Sequence, residues 1–225
     1  MSNFRFTRPS GFPPIVKNLI IINVLVWVAQ LFYDNRTDEM MWLTRRLALW
    51  PINSSEFSPY QIATHMFAHA SYSFNPATGQ ASPVFIHILF NMLGLFMFGR
   101  ILESVWGPKR FLFFYLACGV GAAVAHLAIQ YFTGGFAHVV GASGAVMGIF
   151  AAFAYLFPNT ELMIIPIPVP IKAKWVALIY ILIDLFSGVG RVSNDNIAHF
   201  AHLGGALTGF IIVYIWNKTN RRTLY

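Results

Sequence analysis

Gly141-Ala142-Ser143-Gly144-Ala145-Val146-Met147-Gly148 opens an apolar run that continues to Phe157. One hydroxyl, Ser143, stands here among residues with almost no side chain. Small residues around a serine let another backbone come close and leave room for a substrate. Gly144 and Gly148 recur at helical spacing and give the segment a small-xxx-small face. As a helix, Ala142–Phe157 spans roughly 24 Å at ~1.5 Å per residue, against roughly 30 Å for a bilayer core. A helix that short starts below the membrane surface, with Ser143 at its submerged N-terminal end. A polar group at that depth is a functional-site candidate.

The rest of the chain makes the bilayer the expected solvent. Its 225 residues are 57% hydrophobic and only 10% charged, where a soluble domain carries about 25%. Runs of about 20 apolar residues recur, so the fold class is an all-α polytopic membrane protein. Six spans are predicted: Ile15–Tyr33, Val84–Leu102, Phe111–Phe132, Ala142–Phe157, Lys174–Ser187 and Ile197–Trp216. The division is then a cytoplasmic tail over 1–14, a six-helix membrane domain over 15–216 and a basic cytoplasmic tail over 217–225. The first apolar segment is too long for a removable signal peptide and lacks a small-residue cleavage site, so it reads as a retained anchor. Cys118 is the lone cysteine; it excludes an intrachain disulfide and reads as a packed, inert thiol.

A net charge of +7 raises the question of nucleic acid, but the basic residues flank apolar runs and form no stripe. Membrane topology accounts for them. With the N-terminus inside, the inner segments hold Arg5, Arg8, Lys17, Arg100, Lys109, Arg110, Lys172, Lys174, Lys218, Arg221 and Arg222. The outer segments hold Arg36, Arg45, Arg46 and Arg191. That split puts both termini in the cytoplasm and Ser143 toward the external aqueous side.

Between the first two spans lies the longest connection, Asp34 to Pro83. Met40, Trp42, Leu47 and Trp50, with a helical-looking piece around Ile62–His69, predict a partly membrane-embedded loop. Asn75–Ser82 reads as an exposed turn within it. Pro166, Pro168 and Pro170 precede the short fifth span, which is expected to be loosely held.

Span six carries His202 with Gly205 and Gly209 on one helical face. Close approach of that face to the small face of span four brings an imidazole to Ser143, a base within reach of a nucleophile. Span two opens with His87 and Asn91, i,i+4 neighbours near the external end. Acyl transfer develops an oxyanion, and an amide and a ring N–H are suitable donors to it.

These residues resemble the rhomboid family of intramembrane serine proteases. The resemblance rests on Gly-Ala-Ser-Gly at Gly141–Gly144, Ala-His-x-x-Gly-x-x-x-Gly at Ala201–Gly209, His-x-x-x-Asn at His87–Asn91 and Glu103-x-x-x-Gly107-x-x-Arg110. It covers roughly Ser58 to Gly209 in the family's order and implies a six-helix rhomboid-like bundle. It further implies Ser143 as nucleophile and His202 as general base, a dyad with no aspartate. Asn91, His87 and the Ser143 N–H would form the oxyanion hole. The implied substrates are single-pass membrane proteins cut near the external face, in the lipid of a bacterial inner membrane, with no cofactor. Two positions depart from the pattern. Met147 stands where many relatives stack an aromatic on the catalytic histidine, and Tyr60-Gln61 replaces the family's Trp-Arg in the first loop.

Other readings fit less well. His65 and His69 are spaced i,i+4, but a zinc hydrolase needs a glutamate after the first histidine and Met66 is there; no metal is expected. His126 and Asp184 suit a proton relay in a transporter, but hydrogen bonding in the bundle interior or a place near a helix end is the preferred reading. A catalytically inactive rhomboid-like binder of membrane proteins is the remaining alternative.

Overall fold

The computed structural model of the chain describes residues 12–34, 41–74, 80–164, 167–190 and 196–219. Most of the 1–14 tail, the last six residues, Asn75–Gly79, Pro166 and the basic residues Arg5, Arg8, Arg36, Arg191, Arg221 and Arg222 lie outside the described residues. The chain is mostly helical. The long helices are α1 (Pro14–Tyr33), α6 (Pro108–Thr133), α8 (Ala173–Gly190) and α9 (Asn196–Thr219), with α7 (Ser143–Leu156) shorter. Another apolar stretch, Ile86–Trp106, is α4 (Ile86–Gly94), a π-helical segment (Leu95–Gly99) and α5 (Arg100–Trp106) in continuous succession. Four helical stretches are long and apolar enough to cross a membrane: Pro14–Tyr33, Ile86–Trp106, Pro108–Thr133 and His199–Thr219.

Helix ends follow from local chemistry. Proline at the first position starts both α1 and α6, where its missing N–H would have no helical partner. Glu103 accepts the backbone N–H groups of Ile15 and Val16 at 2.9 and 2.8 Å, a carboxylate at the positive end of α1. Gly107, at φ 79° and ψ 165°, takes a conformation open to glycine and lets α6 fold back from α5.

At the centre α6, α7 and α9 pack on one another. Phe111, Phe114, Tyr115, Cys118 and Ile149 are fully buried there. Cys118 is thus a packed thiol, as its setting in the sequence suggested. The outside of the bundle is the apolar side: Leu25, Phe90, Phe132 and Phe186 are each more than 60% exposed. That inversion suits helices whose neighbours are lipid chains.

The first loop is held together by buried polar groups. Its elements are α2 (Trp42–Leu47), α3 (Gln61–Thr64) and a hairpin of β1 (Tyr72–Phe74) with β2 (Ala81–Pro83). The predicted helix around Ile62–His69 is a single turn that stops at Thr64. Beyond it, backbone groups bond to other parts of the fold, so an α-helix would forfeit them. Asp34 accepts the N–H groups of Leu43 and Thr44 at the start of α2 and the Ser71 hydroxyl. At the Tyr60-Gln61 pair, Gln61 ties the loop to itself. Its amide donates to the Glu56 carbonyl at 2.9 Å and its oxygen accepts from the Ser58 N–H at 3.1 Å.

The proline-rich stretch before α8 forms a hairpin, β3 (Glu161–Ile164) with β4 (Ile167–Lys172). Alternate prolines place their missing N–H groups on one strand edge, which a two-stranded ribbon tolerates. Beyond the hairpin, α8 packs on α7 and α9, with the Phe150 and Tyr180 rings edge to face.

Candidate active site

Ser143 is the first residue of α7. Two features of the fold hold the turn before it. Val139 exchanges backbone hydrogen bonds with Leu49 of the first loop, and the Gly141 N–H donates to the His65 carbonyl at 2.9 Å. Gly141 sits at φ 126°, a conformation that side chains other than glycine's strain to adopt. A Cβ there would stand 2.9 Å from the His87 ring and 3.5 Å from Ser143 Oγ. The bare Cα of Gly141 is therefore what lets the His87 ring and the serine hydroxyl converge.

His202 reaches the same point from α9, with Nε2 2.8 Å from Ser143 Oγ. Backbone contact between the two helices makes this reach possible. A Cβ on Gly209 would come within 2.5 Å of the Gly148 carbonyl oxygen, and one on Gly148 within 2.8 Å of the Gly205 carbonyl oxygen. One on Gly205 would overlap the Gly144 carbonyl. The helices thus meet main chain to main chain, which carries two short functional groups into contact.

Ser143, His202, Asn91, Met147 and Asp184 line one cleft of about 520 Å³ between α4, the π-helical segment, α7 and α8. Its walls are apolar, with Met97, Phe98, Phe150 and Tyr180 among them. Met147 and His202 share this cleft. Asn91 is 6% exposed and donates through Nδ2 to the His87 carbonyl at 2.8 Å, leaving its second amide proton for the cleft.

The hydrogen bonding of His87 fixes which nitrogen carries its proton. The Ala70 N–H donates to Nδ1 at 3.1 Å; a neutral ring accepting there bears its hydrogen on Nε2. Nε2 is the nitrogen on the Gly141 side, 3.0 Å from that missing Cβ. Ala70 is in turn held from α1: its carbonyl accepts from Trp27 Nε1 at 3.3 Å. Next to it, Gln30 bonds both the N–H and the carbonyl of His69.

His65 and His69 belong to this scaffold. His65 Nδ1 bonds the Gln61 carbonyl and His69 Nε2 donates to Asn23 Oδ1, at 2.9 and 2.8 Å. Burial pushes the His65 ring down to about 4 and the His69 ring to about 3, the latter aided by repulsion from His87. Both rings are neutral at ordinary pH. His126 is buried in α6.

Asp184 is where the site differs from the dyad the resemblance implied. Its Oδ1 is 2.7 Å from His199 Nδ1 and 3.4 Å from His202 Nδ1. A lone acid in an apolar helix is a legible signal, but which side chain it would meet depends on how α8 is turned against α9. Among the described residues these three are the group whose ligand-type atoms lie within 4.8 Å of one another. The atoms are already engaged with each other as a carboxylate accepting from two imidazoles.

A family model described as Rhomboid domain matches residues 56–219. The chain is similar to the putative rhomboid protease YdcA of Bacillus subtilis, at 25% identity over 93% of this chain and 92% of that protein. It is 26% identical to rhomboid-like protein 11, chloroplastic, of Arabidopsis thaliana over 89% of this chain, and spans 64% of that relative. It is 30% identical to rhomboid protease GluP of Bacillus subtilis over 55% of this chain, and spans 22% of that relative.

Proposed function

The chain belongs to the rhomboid family, and on that premise we propose that it is an intramembrane serine protease that cleaves single-pass membrane proteins. The observation that carries this reading is the 2.8 Å contact between His202 Nε2 and Ser143 Oγ, at the wall of a cleft between helices. A serine hydroxyl is a weak nucleophile until a base takes its proton. Nothing in a packing role requires both groups to end at such a cleft.

In the proposed reaction Ser143 Oγ attacks the scissile carbonyl while its proton passes to His202 Nε2. The carbonyl oxygen becomes an oxyanion, met by the Ser143 N–H, the Asn91 amide and His87 Nε2–H. Collapse breaks the C–N bond, and the proton on His202 goes to the leaving amine. Water then attacks the acyl-enzyme, giving its proton to His202 and its hydroxyl to the acyl carbon, and Ser143 leaves protonated. No cofactor takes part.

The proposed topology has six spans: α1, α4 through α5, α6, α7, α8 and α9. The membrane domain is 15–216, the tails 1–14 and 217–225 are cytoplasmic, and the location is a bacterial inner membrane. Lipid and the substrate's own helix are the expected partners.

The test is a fluorophosphonate reaction with purified protein alongside cleavage of a tethered membrane substrate. Ser143→Ala and His202→Ala are each expected to abolish both while leaving the fold intact. Residual cleavage by purified Ser143→Ala sinks the mechanism. Substrate capture without labelling of the native protein would make it an inactive binder instead.

A further inference from the structure

We propose that Asp184 is a positioning residue that fixes the tautomer of His202 and steadies its charge, so that a dyad works as a triad. The inference rests on the role of Ser143 and His202 given above. A neutral imidazole has one N–H and one lone pair. To act as base toward Ser143, His202 must present the lone pair on Nε2, so its hydrogen must sit on Nδ1. Asp184 Oδ1 stands 3.4 Å from that Nδ1, on the far side of the ring from the serine. It is a full acceptor with no proton of its own to give, so it selects the tautomer that general-base catalysis needs.

Three further observations support this assignment. Asp184 is 6% exposed, and its carboxylate sits within a helix whose other wall residues are apolar. A buried carboxylate is costly unless it is paired. His199, one turn before His202, donates to the same oxygen at 2.7 Å and so supplies the pairing that burial demands, a role another donor such as an amide can fill, while the oxygen stays in reach of His202. The longer of the two bonds is the one that can tighten: when His202 takes the serine proton, a positive ring faces the carboxylate. No atom is transferred to Asp184; the proton on Nδ1 stays there throughout.

Asp184→Asn keeps the size and removes the charge. In purified protein it is expected to lower kcat and the fluorophosphonate rate together by ~10- to 100-fold, with KM changed less than about twofold and the fold retained. His199→Gln separates positioning from mere helix tying. If Asp184 served only to tie α8 to α9, losing its shorter bond would hurt as much as losing the carboxylate. Positioning predicts that His199→Gln keeps kcat within about threefold of the native value. Equal losses in the two variants, a loss confined to KM, or an Asp184→Asn protein as fast as the native one would overturn the proposal. An independent reading needs no activity. Nitrogen-15 NMR of labelled histidine, assigned with His202→Gln, is expected to find His202 as the Nδ1–H tautomer in the native protein. Finding Nε2–H there refutes the positioning role even if the protease assignment stands. Conversely, Nδ1–H in a protein that neither cleaves nor labels would retire the protease reading alone.

Discussion

Replacing Gly205 by alanine puts one methyl group where α9 and α7 touch. The new Cβ would stand 2.6 Å from the carbonyl carbon of Gly144 and 3.1 Å from its Cα, and closer still to its oxygen. Ordinary contact begins at 3.4 Å, and none of these atoms belongs to a side chain that can turn away. α9 must back off by roughly 1 Å, at an overpacking cost of ~1–3 kcal/mol. Gly205 lies within a turn of His202, and Gly144 follows Ser143, so the separation falls on the reacting pair. Their 2.8 Å contact would open to roughly 3.8 Å, outside hydrogen-bond range. A misplacement of ~1 Å costs about 100-fold in rate. The assay is turnover of a membrane substrate by Gly205→Ala in detergent and in proteoliposomes, with thermal unfolding followed in parallel. A folded variant with turnover about 100-fold down is the expected result. If turnover stays within about threefold while the protein remains folded, backbone contact is not what sets the Ser143–His202 distance.

Two further outcomes concern the scaffold. Asp34→Ala strands the N–H groups of Leu43 and Thr44 and the Ser71 hydroxyl, all bonded to that buried carboxylate. A loss of about 3 kcal/mol or more is expected in thermal or denaturant unfolding, and an unchanged midpoint would show that the first loop has other moorings. Lowering the pH should also weaken the fold. With folded values of about 4 and about 3, His65 and His69 stay neutral where the unfolded chain already takes up protons. Stability from both rings is full above about pH 6.5 and declines as pH falls from there toward 3 to 4, by on the order of 3 to 5 kcal/mol per ring. His69→Gln, if folded, should flatten that slope in unfolding experiments between pH 7 and pH 4. A slope unchanged by the substitution would exclude His69 as its source.

Much of this molecule could be read before any coordinates. Glycine pairs on two apolar segments have few uses other than letting helices touch, so Ser143 and His202 could be expected to meet. The span boundaries followed from apolar runs to within a few residues for the long helices. What escaped the reading depends on rotation and register between elements. The bond from Asp184 to His202 requires a particular turn of α8 about its axis, which tertiary packing decides. The hairpin that takes in the prolines at 168 and 170 was out of sight because their strand is stabilised by a partner strand rather than by its own propensity. Gln61 offers no more than a short amide, yet its two donors and one acceptor tie the loop through backbone groups that the sequence does not display.

One bond in the first loop has a wider meaning. The proton of His87 is assigned by a peptide N–H, that of Ala70, and a main-chain donor is indifferent to which side chain it carries. Drift at position 70 therefore leaves the ring's chemistry alone, with a single exception. Proline has no N–H to offer, so the genetic code holds just one substitution there that could silence the message without altering any residue in the cleft.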